Sequence, residues 1–336
     1  MKKNRSFQPW TWLFILFASL LVPSGLLADP RAQPNSGASA SSGTLVVRAE
    51  GQVTPPNLKV AFIGDQGLGE EPKAVLRMIK SEKADLVIHS GDFDYDDDPA
   101  AWVDQINGIL GPDFPYVASI GNHDVKGWGG PQGYQALLEQ RCKRLGIGWK
   151  GDLGVKSSVF YKGLHILLLA PGTMGTGHAK YIRSQFKKDQ ALWRICSWHK
   201  DMNKMQLGDK KDETGWEVYE AAREAGAIIA TGHEHSYSRT HLLSSFKDQT
   251  VANASATFTL EPGKSFAFVS GIGGRSIRVQ KRSGDWWAKV YTKTQNAVPG
   301  CLFGVFNADG KPNKAVFYFK NIKGEVVDRF TVFSSL

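Results

Sequence analysis

Apolar residues in this chain gather into short runs divided by polar turns. Five of these runs, 58–63, 84–90, 116–120, 192–198 and 227–231, are rich in Val, Ile, Leu and Ala. Their length and near-continuous hydrophobicity predict buried strands. Between them lie stretches of helical spacing at 70–82, 100–110, 133–145, 179–190 and 214–225; the first carries Val75, Leu76 and Ile79, with Pro72 near its start. Alternation of strand and helix predicts an α/β fold with mostly parallel strands and helices outside. Beyond residue 235 the pattern shifts to β-rich runs at 257–260, 265–270, 286–291, 302–307, 315–320 and 326–333, separated by Gly, Pro, Asn or Asp. These are expected to be antiparallel and to complete a second sheet.

The five apolar runs share a feature that hydrophobic patterning does not require. Each ends in side chains that ligate metals: Gly64-Asp65-Gln66-Gly67, Gly91-Asp92-Phe93-Asp94-Tyr95, Gly121-Asn122-His123-Asp124, His199 and Gly232-His233-Glu234-His235. In open α/β sheets the crevice beyond the carboxyl ends of the strands is where ligands bind, so residues far apart in sequence can converge there. Glycine before four of the clusters lets the chain turn sharply and approach a bound ion. Singly, Asp65 or Asp92 is a turn residue and His199 a hydrogen-bonded core histidine. Five clusters in order point instead to one two-metal site. Carboxylate, amide oxygen and phenolate suit hard cations, and imidazole suits zinc, iron and manganese. Asp92 is the natural bridge, and His233 and His235, one residue apart, would serve one metal each. His89, His165, His178 and His241 are assigned ordinary structural roles.

The chain ends and charges add context. Lys2, Lys3 and Arg5 precede an apolar stretch at 10–22 and then Pro23, which predicts a secretory leader over residues 1–28; about 13 apolar residues are short for a membrane span of about 20, the rival reading. Residues 29–56, rich in Ser, Gly, Ala and Pro, predict a flexible tether, and 57–336 the catalytic domain. The expected location is therefore secreted or extracytoplasmic, with no membrane span in the mature chain. A formal charge of +9, three charges of which sit in the first five residues, can steer anions to the site. The cations are dispersed and lack a nucleic-acid-binding module; solvated loop faces explain them equally well. Three cysteines, Cys142, Cys196 and Cys301, allow one disulfide in three pairings, and Cys196 reads most simply as a small buried hydrophobe.

The ordered motif set resembles the calcineurin-like metallophosphoesterases and, within them, the purple acid phosphatase branch. The wider superfamily opens with Asp-x-His, whereas this chain has Asp65-Gln66-Gly67 and a tyrosine three residues after Asp92, the exchange seen in the purple branch. The resemblance covers about residues 57–333 and implies two packed mixed β-sheets flanked by helices, an α-β-β-α sandwich. It implies Asp65, Asp92, Tyr95 and His235 around a first metal, Fe(III), and Asp92, Asn122, His199 and His233 around a second, Zn, Mn or Fe(II). It further implies phosphomonoester hydrolysis, with hydroxide formed at the metals attacking phosphorus in line. His123 would assist the leaving group, and Asp124 would hold its imidazole. The fourth motif departs from the branch, with Cys196-Ser197-Trp198-His199 in place of Val-x-x-His. The histidine-rich loop of some relatives is replaced by Lys200, Asp201, Met202, Asn203 and Lys204. A phosphodiesterase or nucleotide pyrophosphohydrolase is the nearest alternative, and a non-catalytic surface module the more distant one; the substrate in the leading reading is a phosphorylated small molecule.

Overall fold

The computed structural model describes residues 54–336; the leader at 1–28 and nearly all of the tether at 29–56 lie outside the described residues. The chain runs β1 (Leu58–Ile63), α1 (Glu70–Ser81), β2 (Leu86–His89), α2 (Pro99–Ile109), β3 (Tyr116–Ala118), α3 (Tyr134–Arg144), β4 (Trp149–Asp152), β5 (Lys156–Tyr161) and β6 (Leu164–Leu169). It continues with α4 (His178–Phe186), β7 (Trp193–Ser197), α5 (Trp216–Glu224), β8 (Ile228–Thr231), β9 (Tyr237–Thr240), β10 (Leu242–Ser245), β11 (Thr250–Asn253), β12 (Thr257–Leu260) and β13 (Ala267–Ser270). The last strands are β14 (Trp287–Tyr291), β15 (Gly300–Phe306), β16 (Lys314–Asn321) and β17 (Val326–Ser334).

Two mixed sheets with flanking helices result. One has the strand order β12-β17-β16-β15-β1-β2-β3 and the other β14-β9-β13-β8-β7-β6-β5-β4. Within the first, β1, β2 and β3 are parallel; within the second, β6, β7, β8 and β13 are. Side-chain alternation along β6 explains its unbroken hydrophobicity. Leu164, Ile166 and Leu168 join the core shared with the first sheet, while Leu167 and Leu169 join a second core with Ile182 and Phe186 of α4 and Tyr219 and Ala222 of α5. A strand buried on both faces has no polar side to show. The edge-on contact of Phe62 on β1 with Phe268 on β13, centroids 5.2 Å apart, fastens one sheet to the other.

Two expectations are corrected. The strands after residue 235 do not form one antiparallel second sheet. β15, β16 and β17 extend the first sheet through antiparallel pairing of β15 with β1, Val60 opposite Gly304, and β13 inserts parallel to β8 in the second. Such pairing joins residues far apart in sequence, and local pattern carries no record of it. The cysteines do not pair either: Cys142, Cys196 and Cys301 are all free and buried, and burial pushes the Cys142 thiol up to about 12. Strands β4, β5 and β9 to β11 are not among the predicted runs; β4, β9, β10 and β11 have only four residues each, and β4 and β11 are mostly exposed.

Candidate metal centre

The parallel strands β1, β2, β3, β7 and β8 come from two sheets, and their carboxyl ends deliver the five motifs to one place. The loops are stitched to each other. Backbone N–H groups of Asp65, Gln66 and Gly67 donate to the carbonyls of Gly91, Asp92 and Phe93 at 3.0, 3.0 and 2.9 Å, and Gly232 donates to His199 at 3.2 Å. Glycine is required where loops touch. A methyl group on Gly91, at φ +92°, would lie 2.5 Å from the Gly121 nitrogen and 2.9 Å from His199 Nδ1. Four non-glycine residues of the motifs, Asp65, Asp92, Tyr95 and His233, have φ between 56° and 67°. Left-handed backbone at non-glycine positions costs of order 1–3 kcal/mol each and persists only where surrounding structure enforces it.

The side chains gather as two clusters. In one, the Tyr95 hydroxyl donates to Asp65 Oδ1 at 3.0 Å and lies 3.1 Å from His235 Nε2, which is 3.3 Å from the same carboxylate oxygen. In the other, His199 Nε2 is 3.2 Å from Asp92 Oδ1, 3.2 Å from Asn122 Oδ1 and 3.0 Å from His233 Nδ1. Asp92, His199 and His233 form a candidate metal-ligand triad, one donor atom from each lying within 4.8 Å of the others. Donors about 3 Å apart match ligands set about 2.1 Å from a shared ion at near right angles. Each imidazole commits its other nitrogen elsewhere. His199 Nδ1 lies 2.8 Å from the Ser90 carbonyl, His235 Nδ1 2.7 Å from the Ser276 carbonyl and His233 Nε2 2.8 Å from Glu213 Oε2. An outer acceptor fixes tautomer and ring orientation in metal-ligating histidines, and the donor set therefore fits a cation.

Electrostatics among these side chains sharpen the same picture. Burial works against a charge on His199, yet the carboxylates of Asp92, Asp65 and Asp124 outweigh it and push the imidazole up to about 9. His233 is held far below the ordinary histidine range by burial and by the positive charges of His199 and Lys210. The Tyr95 phenol is raised strongly, by burial first and then by Asp65 and Asp92. An acid-rich, water-poor cluster of this kind calls for positive charge.

All nine residues read from the sequence as site residues stand at these loops. The seven ligand candidates occupy the two clusters. His123 is exposed; its backbone N–H donates to Asp92 Oδ1 at 2.9 Å and its ring lies 4.7 Å from that of Tyr95. Asp124 is buried, and its carboxylate accepts backbone N–H bonds from Asp92 at 2.8 Å, Phe93 at 2.8 Å and Gly121 at 2.6 Å. Those bonds clamp two motif loops together, which differs from the expected service to the His123 ring. Sequence reasoning missed Glu213, Lys210, Arg275 and Arg278. Lys210 Nζ lies 2.8 Å from His233 Nε2, and the Arg275 guanidinium lies 4.3 Å over the Tyr95 ring. No spacing signal marks loop residues of this kind.

Comparison with family models matches residues 58–237 to the calcineurin-like phosphoesterases. No curated protein matches in sequence. Among solved structures, a purple acid phosphatase from yellow lupin (Lupinus luteus) seeds superposes with a TM-score of 0.61 at 16% identity, over 82% of this chain and 53% of that one. This chain thus spans about half the length of the lupin structure. GAP50, the anchor in the inner membrane complex of Plasmodium, superposes with a TM-score of 0.55 at 13% identity, over 83% of this chain and 90% of that one. At such identities the likeness is one of fold.

Proposed function

The chain belongs to the calcineurin-like phosphoesterases, and from that premise we propose that it is a binuclear metal-dependent phosphomonoesterase of the purple acid phosphatase kind. The observation that carries this reading is the orientation of the three imidazoles: His199 and His235 each anchor one nitrogen outside the centre and turn the other toward acid, amide or phenol oxygens within about 3.3 Å, while His233 anchors Nε2 on Glu213 and turns Nδ1 to His199 Nε2 at 3.0 Å. Asp65, Asp92, Tyr95 and His235 would hold one ion, and Asp92, Asn122, His199 and His233 the other. A ferric ion suits the first set, because only a highly charged cation offsets the burial and the carboxylates that keep the Tyr95 phenol protonated. With a divalent ion, zinc, manganese or iron, in the second set, Asp65, Asp92 and Tyr95 leave about +2, which suits a phosphate group. When bound, such a pair supplies Lewis-acid stabilisation of phosphate oxygens and water of lowered pKa.

The residues do the rest. Asp92 belongs to the cluster of His199 and His233, its Oδ1 fixed by the His123 N–H, and would bridge the two ions. His123 stands exposed at the rim, where its imidazole gives a proton to the departing oxygen. Lys210 adds a point charge beside His233, and Asp124 holds the Asp92 and Asn122 loops in register.

Elemental analysis with a visible spectrum tests the reading: iron with a tyrosinate charge-transfer band is expected, and Tyr95→Phe should abolish the band. Colourless protein with stoichiometric zinc or manganese in both places would remove the assignment. Rates on p-nitrophenyl phosphate, its bis ester and ATP separate a monoesterase from a phosphodiesterase or pyrophosphohydrolase. A non-catalytic surface module is the second reading, supported by the fold likeness to an anchor protein; metal-loaded protein that cleaves no phosphoester would establish it. We infer in addition that residues 1–28 direct export and 29–56 tether the domain that follows. Among the described residues no helix is long and apolar enough to cross a membrane.

A further inference from the structure

Among the described residues, Lys200, Lys210, Arg275 and Arg278 stand around the two clusters and differ in how their charge is met. Lys200 lies 3.0 Å from Glu213, and Arg278 lies 3.1 Å from Glu234. Lys210 is partly buried against His233. Arg275 is exposed and, among the described residues, has no carboxylate at ion-pair distance; its guanidinium instead covers the Tyr95 ring at 4.3 Å.

The Arg275 backbone is firmly placed. Its N–H donates to the Asp65 carbonyl at 3.0 Å, and the next residue, Ser276, offers its carbonyl to His235 at 2.7 Å. Before it, Gly274 packs so tightly that an added methyl would lie 2.5 Å from Pro72 Cδ. Stacking on an aromatic ring orders the guanidinium plane and leaves its N–H edge free to donate. Tyr95 also packs against His123, with ring centroids 4.7 Å apart, so Arg275 and His123 are neighbours of one phenol. Beside Arg275 opens a recess of about 320 Å³ bordered by Gln66, Gly67, Pro72, Gly274 and Ser276. Glu70 and Glu71 also border it, and Lys73 holds the Glu70 carboxylate at 2.8 Å.

We propose that Arg275 binds a second phosphate carried by the departing part of the substrate, so that the preferred substrates are diphosphates or bisphosphates. The planar fork matches two phosphate oxygens, which a lysine point charge cannot do. The side of the substrate involved rests on the role given to His123 in the phosphoesterase reading; the binding itself does not.

Calorimetric titration of the metal-loaded protein with methylenediphosphonate and with inorganic phosphate tests the inference. Diphosphonate is expected to bind the wild type at least about tenfold more tightly than phosphate, and Arg275→Ala to bring that ratio close to one. Arg275→Lys should fall between, keeping the charge and losing the fork. A wild-type ratio near one, a preference that survives in Arg275→Ala, or equal weakening of both ligands would each overturn the proposal. Protein that shows the Arg275-dependent preference and cleaves no phosphoester supports this inference and defeats the hydrolase reading. Cleavage of p-nitrophenyl phosphate without the preference does the reverse.

Discussion

Gly91→Ala is the most direct test of how the metal-binding loops are assembled. Gly91 has φ +92°, where an L side chain is strained by about 1–3 kcal/mol. The new methyl would also fall 2.5 Å from the Gly121 nitrogen, 2.6 Å from its Cα and 2.9 Å from His199 Nδ1. Two of those contacts are backbone, which cannot swing aside, so relief requires moving the Asn122 loop or His199. Overpacking of this type adds about 1–3 kcal/mol, for a total near 2–6 kcal/mol. A domain of this size loses roughly 2–4 °C of Tm per kcal/mol, so a drop of about 10 °C is expected in thermal unfolding. Because Asn122 and His199 both belong to the Asp92, His199 and His233 cluster, stoichiometric metal should fall with it. Gly108→Ala serves as a control: an added methyl at Gly108, inside α2, meets nothing within 4 Å. Removing glycine from a helix should raise stability there by about 0.5–1 kcal/mol. Wild-type Tm and metal content in Gly91→Ala would refute the described loop contact.

His123→Ala should cut turnover about 10²–10⁴-fold with metal content intact, since alanine keeps the N–H that fixes Asp92; metal analysis beside kcat checks this, and parallel loss of both would contradict the leaving-group role. Asp124→Asn should lose metal and activity together, because an amide cannot accept all three backbone N–H bonds. If it lowers kcat alone, with metal and Tm preserved, Asp124 serves the His123 ring after all. For pH, burial would raise the Glu82 carboxyl, but hydrogen bonds from Lys320, Tyr318 and Lys59 win and bring it from 4.5 to about 2. A depressed acid stabilises the fold above its unfolded value and loses that contribution as pH falls from about 4.5 toward 2. Acid unfolding followed by circular dichroism should be shallower in this window for Glu82→Gln; an unchanged profile would show that these bonds contribute nothing.

Motif chemistry was legible because it is local. A glycine followed by Asp92, or His233 spaced one residue from His235, records what a strand end must present, and the seven ligand candidates lie in the two clusters, whereas His123 and Asp124 do not. The five helices were readable to within a few residues for the same reason: apolar positions repeating on one face need no distant partner. Roles that depend on distant contacts were not readable. Asp124 looked like a partner for His123 because it is adjacent in sequence, while the fold turns its carboxylate onto the backbone of residues 92 and 93.

The sequence by itself determined which candidate ligand side chains end the buried strands, and that the family is that of the calcineurin-like phosphoesterases. Only the tertiary structure decided that β15 pairs with β1, that the cysteines stay free, and that Glu213, Lys210 and Arg275 surround the centre. The physical reason is range: periodicity and turn chemistry act over a few residues, whereas sheet register and outer contacts of a site are settled when segments hundreds of residues apart compete for the same buried surface.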